Sequence, residues 1–279
     1  MAGAGMNNIK ARMKSVKSTM QITGAMELVA TSKLRRAKEK VERTRPFYET
    51  LGEAINEVIP ALEMTDSVYT ARRENDKTLF VVIAGDRGLA GGYNANIFRL
   101  TARLIKDGDI VLPVGKKACE HYKNKDYTLY GTEVSYVGDL GVGDALAIGE
   151  SITKGFVGGE YGRVVIVYTR FVSMMTQSPV YEQLLPLECT GSCSTAVPEY
   201  DIDPEQMLEA IVPKYVGGVF YSAICEASAS ESGARRSAMN AANKNAKEMI
   251  DDLMLRYNRA RQAIITQEIT EIVSGAEAL

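Results

Sequence analysis

The two ends of this chain constrain its fold more than anything between them. From Asp203-Pro204 to Leu279 the sequence has no turn cluster, and Pro213 is the only proline after Pro204. As one α-helix that run would extend on the order of 110 Å, far beyond the usual helix of a globular domain. The first sixty residues read alike. Alternate steps of four and three residues from Ile9 to Leu62 land on apolar side chains everywhere except Thr23, Glu27 and Thr44. A stripe of that period is the pattern of coiled-coil packing. The N-terminal helix (1–62) and the C-terminal helix (204–279) are therefore expected to pack on each other.

Local residues modify that expectation. Pro46 predicts a kink or break near Thr44–Pro46, and Pro60 marks the approximate end of the first helix. The C-terminal stripe runs from Leu208 to Ile264 and is mostly small from Gly218 through Ala246. Small side chains let helix axes approach closer than the usual range of about 8–10 Å, but bury little area per residue. Pro213 and Gly217-Gly218 predict a bent or broken start to this helix.

Between the ends the period changes. Thr78–Ala84, Asp109–Val114 and Arg163–Phe171 are apolar runs of strand length, and Val180–Leu187 reads as a fourth, more alternating strand. Helical patterns intervene at Asn94–Lys106, Lys116–Lys123 and Ala145–Val157. Alternation of this kind predicts an α/β fold with a largely parallel sheet. The domain plan is a coiled-coil helix at 1–62, a central Rossmann-like α/β layer at 77–190, and a coiled-coil helix at 204–279.

Charge is unevenly spread. Residues 1–60 carry 11 Lys+Arg against 6 Asp+Glu, net +5, while the whole chain is −2. A basic excess confined to the first helix points to an acidic partner for that element. Its densest part is Lys33, Arg35, Arg36, Lys38, Lys40, Arg43 and Arg45, either a solvated face or a charged collar. Nothing in the sequence reads as a helix-turn-helix or an RNA-binding signature, which argues against nucleic acid. No run of ~18 apolar residues exists to span a membrane, and MAGAGMNNIKARMKSVK lacks the apolar core of a signal peptide. A cytoplasmic or cytoplasm-facing protein is expected. The four cysteines, Cys119, Cys189, Cys193 and Cys225, contain no CxxC pair, and with one histidine they predict free thiols and no zinc site.

One segment invites a chemical reading. Gly85-Asp-Arg-Gly-Leu-Ala-Gly-Gly-Tyr-Asn94 follows the first strand and opens a helix, where a doubly wound fold binds dinucleotides. Its spacing is GxxGxxGG, however, and no Gly-Lys-Ser/Thr follows, so a structural turn is the stronger reading and a nucleotide-binding enzyme the alternative. Asp86 and Arg87 could pair locally. His121, in a basic and polar helix, reads as exposed, and no catalytic set assembles around it.

The ends and the glycine turn together resemble the gamma-subunit family of bacterial F-type ATP synthase. The stretch Ile22-Thr-Gly-Ala-Met26-Glu-Leu-Val-Ala-Thr-Ser-Lys33, the turn Gly85–Asn94, and Ile265-Thr-Gln-Glu-Ile-Thr-Glu-Ile-Val-Ser-Gly275-Ala276-Glu-Ala278 are each similar to family motifs, in family order. The resemblance implies a non-catalytic central rotor stalk without cofactors, its terminal helices forming a long antiparallel coiled coil. Its partners would be the alpha and beta subunits (α3β3), epsilon and the c-ring, at the cytoplasmic side of the cell membrane. It further implies that Met26, Arg35, Arg36 and Arg235 lie in the region meeting the beta catch loop. Ile265, Gln267, Glu268, Thr270 and Glu271 would form the upper shaft bearing, and Tyr200 and Asp201 would face the c-ring. Gly24 stands where relatives commonly carry lysine, and Pro213 with Gly217-Gly218 interrupts what is usually better helix.

Overall fold

A computed structural model describes residues 2–62, 67–71, 75–123, 127–131, 134, 136–138, 140–188 and 203–277. The elements in order are α1 (Ala2–Leu62), β1 (Thr78–Ile83), α2 (Tyr93–Leu104), β2 (Ile110–Val114), α3 (Lys116–Lys123), β3 (Thr128–Leu129), α4 (Val142–Val157), β4 (Arg163–Phe171), β5 (Gln177–Leu185) and α5 (Pro204–Glu277). They make up two compact units. Residues 31–235 form one, and residues 1–30 with 236–279 form the other.

The larger unit is a five-stranded sheet of order β3-β2-β1-β4-β5. The first four strands run parallel and β5 pairs antiparallel to β4. All six residues of β1 are buried because both faces of the sheet are covered. Leu79, Val81 and Ile83 point to one side, where α1 brings Ile55, Val58 and Ile59, α4 brings Ile152 and Phe156, and α5 brings Leu208, Val212, Val216 and Phe220. Phe80, Val82 and Ala84 point to the other, against Ile97 of α2 and Ala118 and Tyr122 of α3. Period-2 side-chain alternation thus feeds two cores from one strand. His121 stacks on Phe98, ring centroids 3.9 Å apart, rather than standing free in solvent.

Within this unit α5 is surrounded. No residue from Tyr215 to Arg235 is exposed. The small seam expected from the sequence is there, with Ala229 and Cys225 meeting Leu34, Ala37 and Val41. The helix has a second close contact that no seam count shows. A Cβ built on Gly149 of α4 would lie 2.4 Å from the Gly217 backbone nitrogen, and one on Gly217 would lie 2.8 Å from Leu146 Cα. Two helices touch here backbone to backbone, and only glycine permits it.

Neither proline breaks its helix. α1 continues through Pro46, which is exposed, and α5 continues through Pro213 and Gly217-Gly218. Burial of one face, Leu208, Val212, Val216 and Phe220, holds the start of α5 helical despite its weak local propensity. The fourth strand also begins earlier than Val180, at Gln177, and the two-residue β3 was not foreseen.

The smaller unit is a pair of antiparallel helix segments. Glu27 accepts hydrogen bonds from Asn240 Nδ2 and Asn243 Nδ2, each at 3.0 Å, and Thr23 donates to Asn243 Oδ1. Further toward the start of α1, Lys10, Met13 and Lys17 line one groove with Ile250 and Met254. The stripe read from the sequence is the contact face. Ile9, Met13, Val16, Met20, Thr23 and Glu27 are all at least half-buried, while most of the side chains between them are exposed.

Candidate functional site: the turn after the first strand and the open helix faces

In a doubly wound sheet, ligands bind beyond the carboxyl ends of the strands where the strand order reverses. Here that point lies between β1 and β4, and the Gly85–Asn94 turn crosses it. The turn has the unusual dihedrals its glycines suggest, with Leu89 at φ 62° and Gly91 at φ 59°. Its crevice is filled by α5. Tyr93 donates its hydroxyl to the Ala227 carbonyl at 3.1 Å, and Ser230 Oγ donates to the Thr169 carbonyl at 3.0 Å. Burial pushes the Tyr93 phenol well above its ordinary pKa, so it stays a donor. Glu226, with a side chain only 6% exposed, accepts from the Phe171 amide at 3.3 Å and from Arg45 Nη2 at 3.0 Å. The bond to Glu226 is the main reason that the Arg45 pKa is raised.

The acidic residue of the turn faces inward, while Arg87 is exposed and engages through its backbone. Asp86 does not pair with Arg87. Its carboxylate accepts the amides of Val137 (3.1 Å), Gly138 (3.2 Å) and Lys116 (3.3 Å), tying three segments together. Glu231 approaches the turn so closely that a Cβ on Gly85 would lie 2.8 Å from its Cδ. The same carboxylate accepts the Arg87 amide at 3.4 Å and pairs with Arg235 Nη2 at 2.5 Å. Arg235 in turn donates to the Arg87 and Gly88 carbonyls at 3.2 Å. Among the described residues no His, Cys, Asp and Glu side chains gather closely enough to hold a metal ion.

The other candidate residues lie on helix surfaces. Met26 is half-buried in the smaller unit. Arg35 and Arg36 are exposed on α1 in the larger unit, as are Lys33, Lys38, Lys40 and Arg43, with Lys38 paired to Glu42 at 3.5 Å. Ile265, Gln267, Glu268, Thr270 and Glu271 are all exposed near the end of α5, where Gln267 donates to Glu271 at 2.8 Å. Tyr200 and Asp201, like Cys189, Cys193 and Leu279, fall outside the described residues. Sequence reasoning missed Glu226 and Glu231. Glu231 and Arg235 are spaced i, i+4 within a run of small residues, a signal that could have marked them as a built pair. No helix among the described residues is long and apolar enough to cross a membrane.

Comparison with known proteins agrees along the whole length. A family model described as ATP synthase matches residues 5–279. The ATP synthase gamma chain of Ruminococcus albus is 43% identical, with 98% of each chain covered. The sodium-ion-specific ATP synthase gamma chain of Acetobacterium woodii is 40% identical, again with 98% of each covered. In fold, the chain resembles one from the Euglena gracilis mitochondrial ATP synthase (OSCP, F1 and c-ring assembly) at a TM-score of 0.71 and 19% identity, covering 99% of this chain and 95% of that one. The chain belongs to the ATP synthase gamma-chain family.

Proposed function

We propose that this chain is the central rotor stalk of a rotary ATP synthase, turning inside an α3β3 ring and standing, with epsilon, on a membrane-embedded c-ring. Ion flow through the c-ring turns the stalk, and the stalk drives the beta sites through their different nucleotide affinities. The chain itself catalyses nothing; the place where a doubly wound fold would hold a nucleotide contains its own helix α5. It would be attached peripherally at the cytoplasmic side of the cell membrane, held there by its partners.

The observation that carries this reading is the end of α5. Every described side chain from Ile265 to Ser274 is exposed, yet Ile265, Ile269, Ile272 and Val273 are 45–71% exposed on one helix face. Their i, i+4, i+7, i+8 spacing forms an apolar stripe about 100° wide. Gln267, Thr270 and Glu271 hold the opposite side. A contiguous apolar face of this kind on a soluble helix marks a surface made to be covered. An apolar sleeve around a turning shaft tip is such a cover, with Ile265 on the apolar side of the tip and Gln267, Glu268, Thr270 and Glu271 on its polar side. Met26, Arg35 and Arg36 would lie in the region meeting the acidic catch loop of beta, and the charge of the exposed collar supports that placement. Tyr200 and Asp201 would face the c-ring.

The test is reconstitution with α3β3. The chain should restore ATP hydrolysis that drives rotation, and calorimetry on the isolated chain should detect no micromolar ATP or NAD binding. Micromolar nucleotide binding together with failure to restore rotation would favour the enzyme reading instead. Ile269→Asp should leave chain stability within about 0.5 kcal/mol, as for a surface change. Its association with α3β3 should weaken roughly tenfold or more, because a charge would enter the sleeve.

A further inference from the structure

Arg235 is the last residue of the larger unit, and its side chain is only 12% exposed, as is that of Glu231. Among the described residues every bond of its guanidinium is internal: Nη2 to Glu231 and to the carbonyls of Arg87 and Gly88, and Nε to Gly88 at 3.3 Å. Glu231 reaches the other side of the same turn through the Arg87 amide, lying so close that a Cβ on Gly85 would displace its carboxylate. Asn94 closes the turn by accepting the Gly85 amide at 2.9 Å, and Asp86 fastens its base to Lys116, Val137 and Gly138. Two charged side chains one helical turn apart on α5 therefore grip Arg87 and Gly88 of the turn that joins β1 to α2.

We infer that Arg235 is a positioning residue for torque transfer, and that it works through this clasp rather than by touching an acidic partner. The inference rests on the rotor reading. Load applied to the α/β layer must reach α5 through the contacts between them. Most of those are apolar and non-directional, and resist shear poorly compared with charge-assisted hydrogen bonds of fixed geometry. The clasp supplies such bonds at the carboxyl end of β1. Arginine is required for its planar fork, which serves Glu231 and two carbonyls together; lysine would keep the charge and lose the geometry.

The experiment compares Arg235→Gln, Arg235→Lys, Glu231→Gln and the double variant Glu231→Gln/Arg235→Gln with the unaltered chain. One readout is amide hydrogen exchange of Gly85–Asn94 in the full chain. The other is ions pumped per ATP hydrolysed by the complete complex in vesicles. Each single variant should speed exchange across the turn roughly tenfold or more, the effect of a lost charged hydrogen bond. Each should also lower the pumping ratio at least ~2-fold while hydrolysis continues. Arg235→Lys should not rescue either readout, and the double variant should be no worse than the poorer single one, as for members of one network. Normal pumping by Arg235→Lys or by Glu231→Gln would overturn the inference, because Arg235 would then act by charge alone. Additive losses in the double variant would overturn it too. If the unaltered chain supports no coupled pumping, the rotor reading fails, while the exchange result still decides whether the clasp exists.

Discussion

α5 passes through two environments, and its residues differ accordingly. In the larger unit it is enclosed, with no exposed residue from Tyr215 to Arg235. In the smaller unit it has one partner segment, and between Ser237 and Ile264 only Met239 and Leu253 are buried. Enclosure favours small side chains, because several neighbours must approach at once: the α4 backbone at Gly217, the turn at Glu231, the α1 seam at Ala229. A helix with a single partner must bury enough area along one line, so Met239, Ile250 and Leu253 return there. The two halves also keep register differently. The enclosed half is fixed by glycine contacts and by the buried Glu226, which an exposed Arg45 reaches from α1; the paired half is fixed by Thr23, Glu27, Asn240 and Asn243.

Five substitutions would break or sharpen that contrast. Phe220→Ala, in the enclosed half, should cost about 3–5 kcal/mol in urea denaturation. Leu253→Ala, in the paired half, should cost about 2 kcal/mol, at the low end for its type, because the neighbouring helix can relax around it. Equal losses would show that enclosure does not matter. Gly149→Ala should cost about 1–3 kcal/mol as overpacking, since its Cβ would meet the Gly217 backbone at 2.4 Å; a thermal melt unchanged from the parent would refute the backbone contact.

Asn243→Leu addresses register rather than strength. Its net effect on stability should stay within about 1 kcal/mol. Cysteines introduced as Met20→Cys and Ala246→Cys should crosslink cleanly in the parent and less completely in the Leu variant, because a single polar position fixes alignment. The smallest change is expected from Gly24→Lys. A Cβ there would find only Asn243 Nδ2, at 3.9 Å, so the helix should gain about 0.5–1 kcal/mol from leaving glycine. Its interest is functional: coupling efficiency should shift with nucleotide affinity unchanged. Unaltered ATP-driven ion pumping would count against a role for this position beside Met26.

Much of this contrast was legible in the residues. The stepping pattern from Ile9 found the buried face of α1, and the apolar runs found β1, β2 and β4 with their parallel order. A one-dimensional period reports a single contact line, however. It could not show that Gly217 meets Gly149, some seventy residues away, so Gly217-Gly218 read as weakness where the fold uses it for closeness. For the same reason Asp86 read as a partner for its neighbour Arg87, when its amides come from Lys116, Val137 and Gly138. β5 starts before its apolar stretch because Gln177, Ser178 and Pro179 pair with β4 through backbone alone. The surface residues proposed to meet partners came from family resemblance, since an exposed arginine or isoleucine has no periodicity to betray what covers it.

The bare stripe of Ile265, Ile269, Ile272 and Val273 bears on how such a chain is made. A copy finished before its partners presents a sticky helix end to every other copy. Self-association through that end should therefore rise with its concentration, and production in step with alpha and beta would be the natural remedy. If this surface is the shaft tip proposed above, the fit to its sleeve would make the same chain poor at living alone.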